Sequence, residues 1–323
     1  MTVPSEPAVR ETVATLVDDD VRTVRPLDAG KNAVYEVTLD DRRAVLKVGT
    51  ATPDRVRAEP GLVDVVDART DVPVPTVLCA GQDHLEHPYC LYERVPGRTY
   101  GDRPASLTAD LLGRVCETAG RHLADLHAVT TFDRFGPVVP DDGTPTIPEG
   151  HEDWLPQFRR ILDAKATAVD DRFADLRGPI QDYARDLDED DLGSESQEAA
   201  LVHMDYRPAN LVLDPDGSPV TRAVLDWSGA AAAPPAYELA HAETLLTEWP
   251  RLDNGTRTRL VNRFRTGYDE LVDRPAVPDP YRVDARLRLV KHFAVETESL
   301  DASATDARAA AHRRALASLG VSA

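Results

Sequence analysis

The sequence predicts an α+β chain in which a small lobe built on an antiparallel sheet comes first and a larger, mainly helical lobe follows. Three observations carry that reading. Residues 34–39 (VYEVTL) and 44–48 (AVLKV) alternate apolar with polar positions and are rich in β-branched side chains, the pattern of half-buried strands. From Thr108, the stretch TADLLGRVCETAGRHLADLHAV repeats its apolar residues at three-and-four spacing, the pattern of an amphipathic helix. The chain, at 323 residues, is also long for a single core, which favours two lobes.

The elements follow in order. Asp40 and Asp41 are turn residues between the first two strands, making them a hairpin. VPTVLCAG and PYCLYERV, around 74 to 95, read as further strands. The texture changes at Pro96-Gly97, so residues 1–96 are expected to form the first lobe and 97–323 the second. Thr108 is the N-cap of the long helix. Segments 136–150 and 273–280 carry Pro and Gly and read as loops, and the acidic run DLDEDDLGSES at 186–196 reads as a solvated loop. No internal repeat or low-complexity segment interrupts the chain.

Composition excludes several classes of function. A formal charge of -19 repels nucleic acid and anionic membranes, since affinity for either requires neutralising phosphate. MTVPSEPAVRETVATLVDDD has no basic start followed by an apolar run, and no later stretch reaches the roughly 18 apolar residues of a membrane span, so a soluble, cytoplasmic protein is expected. Cys79, Cys90 and Cys116 have no C-x-x-C spacing and read as reduced, mostly buried thiols, not a zinc site or disulfide framework. Lysine occurs only at Lys31, Lys47, Lys165 and Lys291 while Asp, Arg, Ala and Val abound, a halophilic profile of the haloarchaeal kind. At multimolar salt the Debye length falls to about 3 Å or less, so the acidity reports solvent and not substrate.

The chemistry is concentrated in LVHMDYRPANLVLDPDG, residues 201–217. His203, Asp205 and Asn210 lie in a loop between the apolar runs AALV and LVLD, and the strand AVLDW then delivers Asp226 after a turn at Pro215-Asp216-Gly217-Ser218. Asp and Asn also make purely local turns, but a second carboxylate at a strand end, in this order, narrows the choice. An amide oxygen and one carboxylate, completed by nucleotide phosphates, suit a hard cation such as Mg2+, so Asn210 and Asp226 are the expected metal ligands. Asp205 remains as the base for a substrate hydroxyl, and the reaction implied is phosphoryl transfer from a nucleotide.

His203-x-Asp205-x-x-x-x-Asn210 followed by Leu225-Asp226-Trp227 resembles the aminoglycoside phosphotransferase and choline kinase-like family, whose members share the protein-kinase-like fold. The resemblance implies a bilobal fold, ATP and Mg2+ as cofactors, and a small-molecule alcohol as acceptor. It also implies a phosphate-holding lysine on a first-lobe strand, which is Lys47 in AVLKVG, and a glutamate partner, for which Glu59 in RVRAEPGLVDVV is the candidate. Pro60 places Glu59 at a helix start or a kink. By the same resemblance LDAGKNAVYEV is the phosphate-covering hairpin, with Gly30 and Asn32 and the backbone amides of Gly30 to Ala33. LYERVPG is the connection whose backbone, at Glu93 and Val95, meets the adenine edge, and His203 orders the catalytic loop.

Departures from protein kinases favour a small acceptor. Met204 stands where those enzymes usually carry an arginine, and only SGAAAAPPAYELA separates Asp226 from the next helical pattern, leaving little room for a protein-substrate platform. Glu238 in YELA is expected to be structural. His122 and His127, five apart, are poorly spaced for one metal and read as packing residues. Trp154, Phe158, Trp249, Phe264, Tyr268 and Phe293 read as core. The rival readings are a nucleotide-binding regulatory module that performs no transfer and a compact archaeal protein kinase.

Overall fold

The computed structural model describes residues 3–27, 30–101, 106–129, 131–141, 144–193 and 198–322. The chain divides into two compact units, one comprising Met1–Pro104, Val138–Pro148 and Pro208–Ala230, the other Ala105–Pro137, Glu149–Arg207 and Ala231–Ala323.

The first unit is built on a five-stranded antiparallel sheet. Its strands are β1 (Thr23–Leu27), β2 (Ala33–Thr38), β3 (Arg43–Val48), β4 (Val77–Gly81) and β5 (Tyr89–Glu93), in spatial order β1-β2-β3-β5-β4. The register pairs Tyr35 with Leu46 and Val37 with Ala44, so these side chains share one face. That face is buried with Val9 and Val13 of helix α1 (Glu6–Leu16). Period-two alternation then puts Lys47, paired with Val34 and Cys90, on the opposite face.

Helix α2 (Pro53–Arg69) follows β3 and runs through Pro60, so Glu59 lies in a helix interior and not at its start. The unit also holds β6 (Arg98–Thr99), β9 (Val139–Asp141) paired with β10 (Thr144–Thr146), and the hairpin β12 (Leu211–Leu213) and β13 (Thr221–Val224). β12 pairs with β6 on its other side. Segment 136–150, expected to be loop, therefore contains short paired strands, including β8 (Gly136–Pro137), because isolated Pro and Gly residues do not prevent two- or three-residue ladders at an edge.

The second unit is mainly helical: α3 (Ala109–Val129), α4 (Trp154–Ala168), α5 (Arg177–Asp186), α6 (Glu189–Leu192), α7 (Pro235–Thr247), α8 (Asn254–Asp269), α9 (Asp279–Lys291), α10 (Phe293–Thr297) and α11 (Ala302–Ser318). Thr108 Oγ1 accepts from the Leu111 N–H at the start of α3. Helix α6 falls inside the acidic run and begins with a capping box between Asp188 and Asp191, so those carboxylates satisfy backbone N–H groups. Residues 194–196 of that run lie outside the described residues.

Helices α3 and α8 cross at two glycines. A Cβ on Gly120 would stand 2.1 Å from the Phe264 carbonyl oxygen, and one on Gly267 would stand 2.0 Å from that of Glu117. The core of the unit buries Trp154, Phe158, Trp249, Phe264, Tyr268 and Phe293. A small sheet, β7 (Thr131–Phe132), β11 (Ala199–Val202), β14 (Ala231–Ala233) and β8, runs in the order β7-β11-β14-β8. Among the described residues no helix is long and apolar enough to cross a membrane.

Candidate active site

All four residues of β11 are buried, and the strand delivers the chain directly to His203. Glu238, in the first turn of α7, receives it: Oε2 accepts from the His203 N–H at 3.1 Å and Oε1 from the Met204 N–H at 2.6 Å. The same carboxylate shares a 2.9 Å hydrogen bond with His127 Nε2, whose Nδ1 meets the Tyr268 hydroxyl at 2.9 Å. Glu238 and His127 thus form a buried bracket behind the loop. His203 is fully buried, and its Nδ1 accepts from the Asp205 N–H at 3.2 Å, so the imidazole shapes the loop from within.

Met204, between them, has φ 66°, in the left-handed region that a non-glycine residue occupies at a penalty of roughly 1–3 kcal/mol. The Asp205 carboxylate meets two arginines through Oδ1: Arg207 Nε at 2.8 Å and Arg288 Nη2 from α9. Arg288 Nη1 also donates to the Met204 carbonyl at 2.8 Å. Tyr206 is buried, and its hydroxyl lies 2.8 Å from His122 Nδ1, so His122, like His127, hydrogen-bonds within the helical unit.

The first unit assembles the other charged centre. Pro208–Asn210 forms a short 3-10 turn into β12, and the Asn210 carbonyl accepts from the Leu225 N–H at 2.8 Å, which joins the two ends of the hairpin. Asp226 follows with φ 63° and ψ 64°, again left-handed. Its Oδ1 accepts from Lys47 Nζ at 2.7 Å and from Ser228 Oγ at 2.6 Å. Lys47 Nζ also donates to Glu59 Oε2 at 2.6 Å, so one ammonium is shared by a carboxylate from α2 and one from the turn after β13. Glu59 in addition accepts from the Trp227 backbone. Burial works against the Lys47 charge, but the Glu59 and Asp226 carboxylates outweigh it and hold its pKa above the ordinary lysine value.

Helix α2 keeps Glu59 in place despite Pro60, because a proline in mid-helix removes one backbone donor while leaving the face that carries its neighbour unchanged. Gly30 has φ 80° and open space around it, and its neighbours Asp28 and Ala29 lie outside the described residues. Asn32 is tied to the segment between β3 and α2. Its Oδ1 accepts from the Ala51 and Thr52 N–H groups at 3.0 and 3.1 Å, and its Nδ2 donates to Thr52 Oγ1 at 2.9 Å. The Ala33 N–H is committed to Thr50 Oγ1 at 3.1 Å, which removes it from the amides expected to cap phosphate. At the connection, the Glu93 N–H donates to the Thr76 carbonyl, leaving the Glu93 carbonyl as its candidate contribution, and the Val95 carbonyl accepts from Arg94.

The donor chemistry fits a hard divalent cation. The Asp226 carboxylate is 42% exposed and Asn210 supplies an amide, both oxygen donors of the kind Mg2+ takes alongside phosphate and water. Among the described residues no group of three or more His, Cys, Asp or Glu could hold a metal by itself. A pair of protein ligands completed by a nucleotide is a different kind of site.

Sequence reasoning missed Arg207 and Arg288. Arg207 stood in plain view in DYRPAN, where a charged residue two positions from the proposed base was itself a signal. Arg288 is 83 residues from Asp205, and no local pattern links them.

A sequence profile of the APH phosphotransferase enzyme family matches residues 23–281. No curated protein matches the chain. Among solved structures, the chain is similar to a protein assigned as an aminoglycoside phosphotransferase from Ralstonia eutropha JMP134, with 16% identity, 98% of this chain and 97% of that one covered, and a TM-score of 0.66. It is similar to a microcompartment-associated aminopropanol kinase at 22% identity, 98% and 99% coverage and a TM-score of 0.63. A thermostable mutant of the aminoglycoside phosphotransferase APH(4)-Ia, in ternary complex with ADP and hygromycin B, aligns at 21% identity, 97% and 99% coverage and a TM-score of 0.61. These likenesses establish the kinase-like α+β fold. With the profile matched over most of its length, the chain belongs to the APH phosphotransferase enzyme family and is a small-molecule phosphotransferase.

Proposed function

We propose that the chain transfers the γ-phosphoryl group of Mg-ATP to a hydroxyl of a small molecule, with Asp205 as the base. The observation that carries this reading is the Lys47 ammonium held between Glu59 and a left-handed Asp226. A lysine fixed by two carboxylates is oriented to meet phosphate oxygens, and Asp226 presents a carboxylate beside it for a cation. Nothing in the packing of a sheet requires a half-buried lysine with two acids. Residues 1–96 then serve the nucleotide, with Gly30 and Asn32 shaping the covering hairpin and the backbone at Glu93 and Val95 meeting the adenine. Residues 97–323 carry the catalytic loop and the acceptor site.

In the reaction the acceptor oxygen bonds to the γ-phosphorus as the bond to the ADP oxygen breaks, and Asp205 takes the acceptor's hydroxyl proton. His203 holds the Asp205 backbone. Lys47 binds phosphate oxygens while Glu59 keeps it in place. Mg2+, held by Asn210 and Asp226, would neutralise charge on the phosphates. A structural neighbour in ternary complex with ADP and hygromycin B, and another that is an aminopropanol kinase, support a nucleotide donor and a small acceptor. The lysine-poor, acidic composition supports work in a high-salt cytoplasm.

The decisive experiment is ADP release from Mg-ATP in high KCl with pooled small alcohols, comparing the wild type with Asp205→Asn. The variant is expected to keep ATP affinity and lose about 10²- to 10⁴-fold in turnover, the typical contribution of a general base. Near-native turnover would remove Asp205 from that role. ATP binding with no transfer to any acceptor would favour the regulatory module.

A further inference from the structure

Arg288 has no part in the reaction as written, yet it joins the catalytic loop to the helical frame from α9, as Glu238 does from α7. It lies on α9, one helical turn beyond Asp284. Asp284 is fully buried, and its Oδ2 accepts from Lys165 Nζ at 2.5 Å, His241 Nε2 at 2.7 Å and the Tyr237 hydroxyl at 2.8 Å. Three donors from α4 and α7 converge on one oxygen of α9 and fix that helix in place. From this anchored helix the Arg288 guanidinium reaches both the Met204 carbonyl and the Asp205 carboxylate.

The two contacts fall on either side of a strained residue. Met204 has φ 66°, and such a conformation persists only where its surroundings over-determine it. Glu238 holds the N–H side of Met204 and Arg288 holds its carbonyl side. Arg207 reaches the same Asp205 oxygen from two residues along the loop, whereas Arg288 reaches it from a helix of the frame. A guanidinium suits this task because its planar fork supplies two donors in fixed relative directions, whereas an ammonium is a single point charge.

We propose that Arg288 is a positioning residue that sets the direction of the Asp205 carboxylate by clamping the strained Met204–Asp205 segment to α9. The proposal rests on the reading of Asp205 as the base. It predicts that an Arg288 variant loses turnover through misalignment while nucleotide binding is untouched. Displacement of a catalytic group by about 1 Å is enough for a loss of about 10²-fold.

The test compares wild type, Asp205→Asn, Arg288→Ala and Arg288→Lys by ADP release with Mg-ATP and pooled small alcohols, alongside ATP affinity and thermal midpoints. Arg288→Ala is expected to lose about 10²-fold in kcat with unchanged ATP affinity, and Arg288→Lys to fall between it and the wild type. Millimolar guanidinium is expected to restore part of the Arg288→Ala turnover and none of the Asp205→Asn turnover. Such rescue reports the missing group at the loop, which a role in folding alone would not give. Undiminished or increased kcat in Arg288→Ala, with Asp205→Asn inactive, overturns the proposal and leaves the base in place. A fall in kcat matched by loss of fold in both Arg288 variants, without guanidinium rescue, overturns it as well. An inactive wild type or undiminished Asp205→Asn turnover overturns the underlying reading.

Discussion

Met204 and Asp226 are the two non-glycine residues with left-handed backbones among those described, and each is held by side-chain partners. Glu238 and Arg288 grip Met204, and Lys47 and Ser228 grip the Asp226 side chain. The bracket at Glu238 gives a prediction at this scale. Glu238→Gln substitutes an NH2 for one of the two oxygens that accept the His203 and Met204 N–H groups, setting donor against donor in a buried place. Denaturant titration is expected to show a loss of about 1–3 kcal/mol, the penalty for an unsatisfied buried polar group, with a parallel fall in turnover. His203, Asp205, Asn210 and Asp226 stand out as candidates by residue type and spacing within short stretches, whereas Lys47 is picked out through the family resemblance; of the candidates, the structure brings Lys47, Glu59 and Asp226 together. Glu59 is a candidate through the same resemblance, and Pro60 is a poor guide to the helix start because one missing N–H does not end a helix whose other face is buried. Arg288 was not legible, since the contact that matters is made by tertiary folding and leaves no trace in spacing.

At the scale of elements, period-two alternation made β2 and β3 readable, and three-and-four spacing made α3 readable. Helix α1 and strand β1 went unread: α1 is short and mixed, and β1 carries Pro26 in a polar run. That proline is compatible with an edge strand, which is where β1 sits. The helix crossing of α3 and α8 depends on what two residues lack. Because a Cβ on Gly120 would stand 2.1 Å from a backbone oxygen, the helices have no small rotamer change available to relieve it. Gly120→Ala is expected to destabilise the protein by about 1–3 kcal/mol, read from urea unfolding, even though alanine favours helix in isolation. An unchanged or higher midpoint would show that the crossing can open without loss.

For the molecule as a whole, the buried ionisable groups predict sensitivity to acid. Burial, seconded by neighbouring positive charge, lowers His122 and His241 from 6.5 to about 4. Between those values the unfolded chain binds protons that the folded chain excludes, so stability rises with pH there. The contribution is full above pH 6.5 and is lost as pH falls towards 4, at roughly 1.4 kcal/mol per pH unit for each histidine. Glu248 extends the trend: burial opposes its charge, but Arg286 outweighs burial and lowers it from 4.5 to about 2. Thermal midpoints measured from pH 7 to pH 4 are expected to fall, and His241→Gln is expected to flatten the descent. The fold class was readable from the change of texture along the chain, but the path of the chain was not. The first compact unit is assembled from three separate stretches, the last of them Pro208–Ala230. That interleaving constrains heredity: exchanging the gene segment for residues 1–104 with a relative would import a new Lys47 and Glu59 while leaving the old Asn210 and Asp226 behind. The lysine and its two acids, and the two oxygen donors, must therefore drift together across more than a hundred and fifty positions, and recombination at any single crossover between Glu59 and Asp226 separates partners that this structure holds within hydrogen-bonding distance of one ammonium.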